Sequence, residues 1–200
     1  MMPSTQRRKR VSKERRPKSS VEVLVSGGID SAALLAFYLR ERLDVRPLFV
    51  DFGQPAAKQE LRSARAVCKQ YGVRLSIMTV RSWAAFSVGE IPGRNAFLLF
   101  AAMLVRNMRP GVIAIGIHEG PPYYDCTEGF LTSIQAVIDG YAAGRIKIAA
   151  PFLKWGKHVI WEFCKKARVP IDMTYSCEKG GARPCGTCLS CKDRKALDAM

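Results

Sequence analysis

The sequence predicts an α/β fold, a Rossmann-like parallel sheet with helices on both faces and a small C-terminal four-cysteine module, on three observations. Short β-branched runs alternate with stretches of helical length and apolar spacing through residues 20–167. The first run, residues 21–25, breaks into Ser26-Gly27-Gly28-Ile29-Asp30-Ser31 and restarts as an apolar helix. Cys177, Cys185, Cys188 and Cys191 crowd the C-terminal end, with glycines and a proline between them.

The helix after the first strand spans residues 30 to about 42. Residues 45–51 read as the second strand, and Phe52-Gly53-Gln54-Pro55 turns it into a helix over 57–71 that Gly72 ends. A third strand covers 74–80, a third helix 95 to about 107, and a fourth strand 112–117, whose lack of polar residues means burial on both faces. A fourth helix over 130–141, a fifth strand over 146–150 and a fifth helix over 156–167 complete the alternation. Ligands of such a sheet bind outside the carboxyl ends of its strands. The Ser26 to Ser31 loop, residues 51–54 and residues 118–125 then share one mouth. Arg94, at the start of the third helix, offers a guanidinium suited to phosphate or carboxylate.

Charge and composition set the limits. The formal charge is +15, but residues 1–20 hold eight Lys/Arg against Glu14, so a tail carries +7 of it. That tail, residues 1–19, is basic, rich in Ser and Pro and without an apolar period, and is expected to be disordered and open to an acidic partner. Residues 20–173 form the α/β domain and 174–200 the metal-binding segment. No secretory signal follows the basic residues, and the longest apolar run, residues 96–105, is half of a membrane span. The expected place is the cytoplasm, with no membrane partner, and there four clustered cysteines read as metal ligands rather than a disulfide framework. Cys68 and Cys164 read as small buried apolar residues, and Cys126 as the one thiol with a position suited to reactivity.

The glycine loop is built for an anion. Adjacent glycines admit backbone angles closed to other residues and let an anion reach the amides without meeting a Cβ. The following helix adds free N–H groups and the positive end of its dipole, about half a unit charge. A Walker-type loop would carry a Lys followed by Ser/Thr after its last glycine, and no such Lys is present. Ser26-Gly27-Gly28-Ile29-Asp30-Ser31 instead resembles the Ser-Gly-Gly-x-Asp-Ser signature of the PP-loop ATP pyrophosphatases, the adenine nucleotide alpha hydrolase-like fold, which cut ATP between its α- and β-phosphates.

Further motifs narrow the resemblance. Ser26 to Ser31, Pro92-Gly93-Arg94-Asn95, Tyr123-Tyr124-Asp125-Cys126, Pro151 with Trp155-Gly156-Lys157, and Cys177…Cys185-x-x-Cys188-x-x-Cys191 follow one another as in the 7-cyano-7-deazaguanine synthase family (QueC, also called ExsB), which the chain resembles over about residues 20–195. The resemblance implies ATP-dependent conversion of 7-carboxy-7-deazaguanine with ammonia into the amide and then the nitrile, in queuosine-type biosynthesis. It implies that Ser26, Gly27, Gly28, Asp30 and Ser31 hold the ATP phosphates, with Asp30 facing Mg2+ and Asp30, Ser31 and Lys157 acting in catalysis. Arg94 and Asn95 would help bind nucleotide, and Arg94 and Asp125 the deazaguanine. Asp125 alternatively caps a helix, and Lys157 is alternatively a solvated charge near a helix N-terminus. His118 lies near the mouth and could take a proton, although an incidental loop histidine is the simpler reading. The chain has no room for a glutaminase domain, so free ammonia is the expected nitrogen donor.

Four thiolates leave a bound metal no open position, so the Cys177, Cys185, Cys188 and Cys191 site is structural. An iron–sulfur cluster is the rival occupant, and the resemblance favours Zn2+. Two departures from the family pattern support an alternative product: the connection over residues 81–91 is short, and Thr127-Glu128-Gly129 follows Asp125-Cys126. A relative could stop at the amide or deliver the acid to another amine, such as a protein terminus. A zinc-containing module that binds nucleic acid through the basic tail is the non-enzymatic alternative. The resemblance leaves a homodimer open.

Overall fold

The computed structural model describes residues 19–199 except 42, 82–85 and 87. The basic tail and part of the 81–91 connection therefore lie outside the described residues. Five parallel strands, β1 (Ser20–Leu24), β2 (Asp44–Asp51), β3 (Ser76–Thr79), β4 (Gly111–Ala114) and β5 (Ile146–Ala149), form a sheet in the order β3-β2-β1-β4-β5. Their alternating side chains divide the interior in two. Val21, Val23 and Val25 point to the face covered by α1 (Ile29–Leu39), α2 (Ala57–Gln70) and α5 (Lys157–Ala167), where Leu34, Val67, Phe152 and Ile160 join them. Leu24 points to the other face, covered by α3 (Arg94–Val105) and α4 (Glu128–Ala142), among Leu48, Leu99, Ile113 and Ile138.

The chain steps from β1 to β2 to β3, then crosses back with α3 to place β4 on the other side of β1. That reversal opens a crevice beyond the ends of β1 and β4. No described helix is long and apolar enough to cross a membrane.

Local chemistry sets the element ends. Gly72, at φ +66, accepts the left-handed position after α2, and Val73 N–H closes the turn on Cys68 O at 3.0 Å. Thr127 caps α4 by accepting the Phe130 N–H at 3.2 Å. Several ends differ from the expected ones. The first helix closes at Leu39, where Arg40 and Glu41 donate to Phe37 and Tyr38 and tighten the last turn. β4 stops at Ala114 rather than 117: Ile115 N–H still reaches Ala149 O at 3.0 Å, and beyond it the chain turns into the crevice. A sixth helix, α6 (Leu189–Asp198), lies where only cysteine spacing was legible. Few of its residues are apolar, and Cys191 and Leu197 are its buried positions.

At the far end of the sheet, Glu22 of β1 is 2% exposed and Arg106 is 1% exposed, 3.8 Å apart. Arg106 also donates to the carbonyls of Arg109, Pro110 and Val112 and to the Ser20 hydroxyl. Burial raises the Glu22 carboxyl above its ordinary range, and the guanidinium opposes that rise. Removing one partner of such a pair strands a buried charge. Arg106→Leu is expected to lower unfolding free energy in urea by about 3–5 kcal/mol, and Glu22→Leu combined with it to recover part of the loss. Wild-type stability of the single variant would show the pair to be dispensable.

Candidate active site

The crevice is a cleft of about 580 Å³ bounded by the β1–α1 loop, the start of α2, residues 116–123 after β4, and residues from the C-terminal segment. The two loop glycines have different duties. Gly27 has φ +84, and a Cβ on it would run into the Glu60 carbonyl of α2. Gly28, extended at φ −81, has ordinary space around it and opens the first turn of α1 toward the cleft. The Ser31 hydroxyl donates to Gly28 O at 2.9 Å and accepts the Gly27 N–H at 3.1 Å, with the Ser26 hydroxyl 3.2 Å away. These serines shape the loop.

Asp30, in the first turn of α1, carries the strongest electrostatic feature. Its Oδ2 accepts from Lys157 Nζ at 2.5 Å, His118 Nε2 lies 3.9 Å from the same oxygen, and Oδ1 is buried without a partner among the described residues. An unpartnered buried carboxylate oxygen beside a phosphate-type loop fits a divalent cation. The His118 ring is 10% exposed, and its Nδ1 lies 2.6 Å from Glu119 O. Because a carbonyl only accepts, Nδ1 carries a proton.

Of the residues expected to bind nucleotide or substrate, Ser26, Gly28, Asp30, Ser31, Arg94, Asn95 and Lys157 line the cleft. Asp125 does not line it. Its Oδ2 accepts the Asn95 N–H at 3.2 Å, and Asn95 Nδ2 donates back to Asp125 O at 3.0 Å, so the pair ties the start of α3 to the turn before α4. Cys126 lies beside it, and burial first, then the Asp125 charge, pushes its thiol up to about 11.

Gln54, in the stretch expected at the mouth, lines the cleft, and so does Glu60, which the sequence did not single out. Gln54 accepts from Phe52 N at 3.0 Å, which turns its amide nitrogen toward Glu60 Oε2 at 2.9 Å. Burial raises the Glu60 carboxyl, while Gln54 and Arg94 hold the rise back. Tyr175, Ser176 and Glu178 form another unanticipated wall. A polar residue at the mouth of another element's loop has no local pattern by which to find it.

The four cysteines converge. Their sulfurs lie within 4.8 Å of one another, and Cys185 and Cys191 are 3.9 Å apart. An ion bound tetrahedrally by thiolates at about 2.3 Å spaces its ligands about 3.8 Å apart, so the group can hold a metal ion. The Thr187 hydroxyl, with the N–H groups of Thr187 and Cys188, holds the Cys185 thiol down at about 5.

The family model described as queuosine biosynthesis protein QueC matches residues 20–90 and 85–199. The chain belongs to the QueC family. It is 29% identical to 7-cyano-7-deazaguanine synthase 1 of Desulfitobacterium hafniense, across 89% of this chain and 90% of that protein. It is 31% identical to 7-cyano-7-deazaguanine synthase of Brucella canis, across 86% of each. The structure of NMN synthetase from Francisella tularensis superposes with a TM-score of 0.56 at 13% identity, over 92% of this chain and 78% of the other, a likeness of fold. The QueC-family chain is thus an ATP-dependent, ligase-type enzyme on a PP-loop fold, with a cysteine group near its C-terminus able to bind metal.

The three cysteines outside the C-terminal group share one thiol chemistry. Burial pushes Cys68 up to about 11 and Cys164 up to about 12. Cys126, despite its place beside the cleft, is raised with them. Alkylation of the metal-loaded protein at pH 8, read by mass spectrometry, is expected to label Cys126 on the order of a hundredfold more slowly than free cysteine, because thiolate fraction governs the rate. Labelling at the free-thiol rate would show an activated Cys126.

Proposed function

We propose that this QueC-family enzyme converts 7-carboxy-7-deazaguanine, ATP and ammonia into 7-cyano-7-deazaguanine in the cytoplasm, with Mg2+ at Asp30 and a structural Zn2+ on Cys177, Cys185, Cys188 and Cys191. The observation that carries the reading is the Asp30 carboxylate, paired to Lys157 and left with one unpartnered oxygen, at the mouth of an intact Ser-Gly-Gly-x-Asp-Ser loop. Zinc is supported by the sulfur spacing, since a four-iron cluster would insert its own sulfides and hold the cysteines farther apart. Thiolate ligands suit a reducing compartment.

In this reading the loop amides and the start of α1 receive the triphosphate, and Lys157 turns from Asp30 toward phosphate when nucleotide arrives. Asp30 would hold a magnesium ion there, which would supply charge stabilisation for the departing pyrophosphate. The substrate carboxylate attacks the α-phosphorus, pyrophosphate leaves, and an acyl adenylate forms. Ammonia attacks its carbonyl carbon, a proton is released, and AMP departs to leave the amide. The amide oxygen then attacks the α-phosphorus of a second ATP, pyrophosphate leaves, and loss of AMP together with both protons of the nitrogen gives the nitrile. Arg94 stabilises negative charge on the substrate, while Asn95 and Asp125 hold Arg94 by fixing the start of α3. Positioning and charge stabilisation supply most of the rate.

The protein incubated with the acid, ATP and ammonium is expected to release AMP and pyrophosphate, with about two AMP per nitrile by mass spectrometry, one for each oxygen lost through adenylation. An amide or a modified amine at one AMP per product would assign the alternative chemistry, and no AMP at all would remove the ligase reading. Asp30→Asn keeps the side-chain volume, and is expected to cut AMP release by on the order of a hundredfold or more with the melting temperature nearly unchanged. Wild-type turnover of that variant would exclude Asp30 from catalysis.

A further inference from the structure

The geometry points to a nucleotide site closed on one side by the cysteine segment: the Tyr175 N–H braces the glycine loop, the Ser176 hydroxyl completes the phosphate cradle, and a metal on the adjacent thiolates holds them there, so metal and ATP each strengthen the other's binding. This goes beyond the proposed reaction and rests on the reading of the cleft as the ATP site.

Gly27, forced into its left-handed angle, turns its carbonyl out of the loop, and Tyr175 N–H caps it at 2.9 Å. The neighbouring residue, Ser176, stands over Gly28: its hydroxyl would lie 3.9 Å from a Cβ there, and the Tyr175 carbonyl 3.7 Å. That hydroxyl has no hydrogen-bond partner in the protein among the described residues and lines the cleft beside the loop amides. It is placed to donate to an anion that those amides bind. Cys177 comes next in the chain.

The segment has little else to fix it. Residues 174–188 contain no helix or strand, and the stretch returns to order only in α6. Its anchors are individual contacts. Tyr175 donates its hydroxyl to Gly181 O at 2.8 Å, and Gly180, at φ +69, presses on the Pro55 carbonyl where no Cβ would fit. Glu178 accepts the Ser190 N–H at 3.1 Å and its hydroxyl at 2.8 Å. Arg194 stacks 5.7 Å over Trp161 and donates to Thr174, and Leu197 enters the main core. These contacts secure α6 and the start of the segment. Residues 175–177 meet the loop through the single Tyr175 N–H bond to Gly27, and the four thiolates with whatever ion joins them would close the segment around that contact. A metal that binds the closed arrangement better than the open one shifts the population toward closure, and reciprocity requires nucleotide to favour the metal-bound form equally.

The test is calorimetric titration with α,β-methylene-ATP and Mg2+, which needs neither the deazaguanine acid nor turnover. The zinc-loaded full chain is expected to bind the analogue at least tenfold more tightly than chelator-treated chain whose circular dichroism retains the α/β signal. The analogue should slow zinc loss to a chelator by a matching factor. Ser176→Ala, with zinc content unchanged, should bind the analogue several-fold more weakly. Equal affinity with and without zinc, or analogue-insensitive zinc loss, overturns the coupling, and wild-type affinity of Ser176→Ala overturns the role of that hydroxyl. Unfolding of the whole chain on chelation also overturns it, because the segment would then support the fold rather than the site. A zinc-loaded protein that binds no analogue removes the ATP-site reading itself.

Discussion

The approach of Gly27 to α2 is the constraint on which the site depends. A side chain at that position would collide with the Glu60 carbonyl, so only glycine lets the β1–α1 loop lie against the helix at φ +84. With Gly27 in place, its N–H meets Ser31, its carbonyl meets Tyr175, and Gly28 is delivered in extended form to open α1. On the opposite side Gly116 passes close beneath α1, where a Cβ would stand 3.4 Å from the Asp30 backbone. Asp30 is thereby set by backbone packing on two sides rather than by its own side chain. That leaves its carboxylate free for Lys157 and for a cation.

Two of the charged pairs among the described residues are built to different ends. Arg106 and Glu22 are sealed beneath the sheet, and the guanidinium is surrounded by carbonyl acceptors, an arrangement that fixes geometry and offers no access. Lys157 and Asp30 face the cleft with 31% and 25% of their side chains exposed. Their contact pairs both groups while the site is open to water, and in the proposed reaction a triphosphate with its cation would give each of them a better-matched partner. Burial costs the first pair more, and the second keeps the exposure that exchange of partners requires.

Much of the fold was legible because it rests on local periodicity. Val21, Val23 and Val25 alternate with Leu24 as a two-faced strand demands, and Gly72 marks its helix end by the angle it must adopt. Periodicity does not see where pairing stops, so residues 115–117 read as strand although the sheet there opens into the crevice. α6 escaped because Cys191 and Leu197 alone give it a buried side, too little for a helical stripe. At the site, the loop and the lysine were legible as chemistry carried by single motifs. The bond of Asp125 to Asn95 joins positions thirty residues apart, and the Glu60–Gln54 contact depends on how the Phe52 N–H orients an amide. Neither leaves a local trace.

The same limit bears on why a cysteine group able to hold a metal lies beside the glycine loop. One wall of the cleft is supplied by residues 175–178, which follow the last helix of the sheet domain and bury little apolar surface of their own. Fixing a residue's backbone costs roughly 1–2 kcal/mol, and a segment this polar cannot recover that from burial. A thicker apolar core under the segment would hold it, at the expense of many more residues. Four thiolates on one ion order the same stretch with fifteen, because the coordination free energy acts on the backbone between the ligands. An ion on these thiolates would therefore sit where order is needed and hydrophobic burial is least able to provide it, next to the loop whose carbonyl Tyr175 meets.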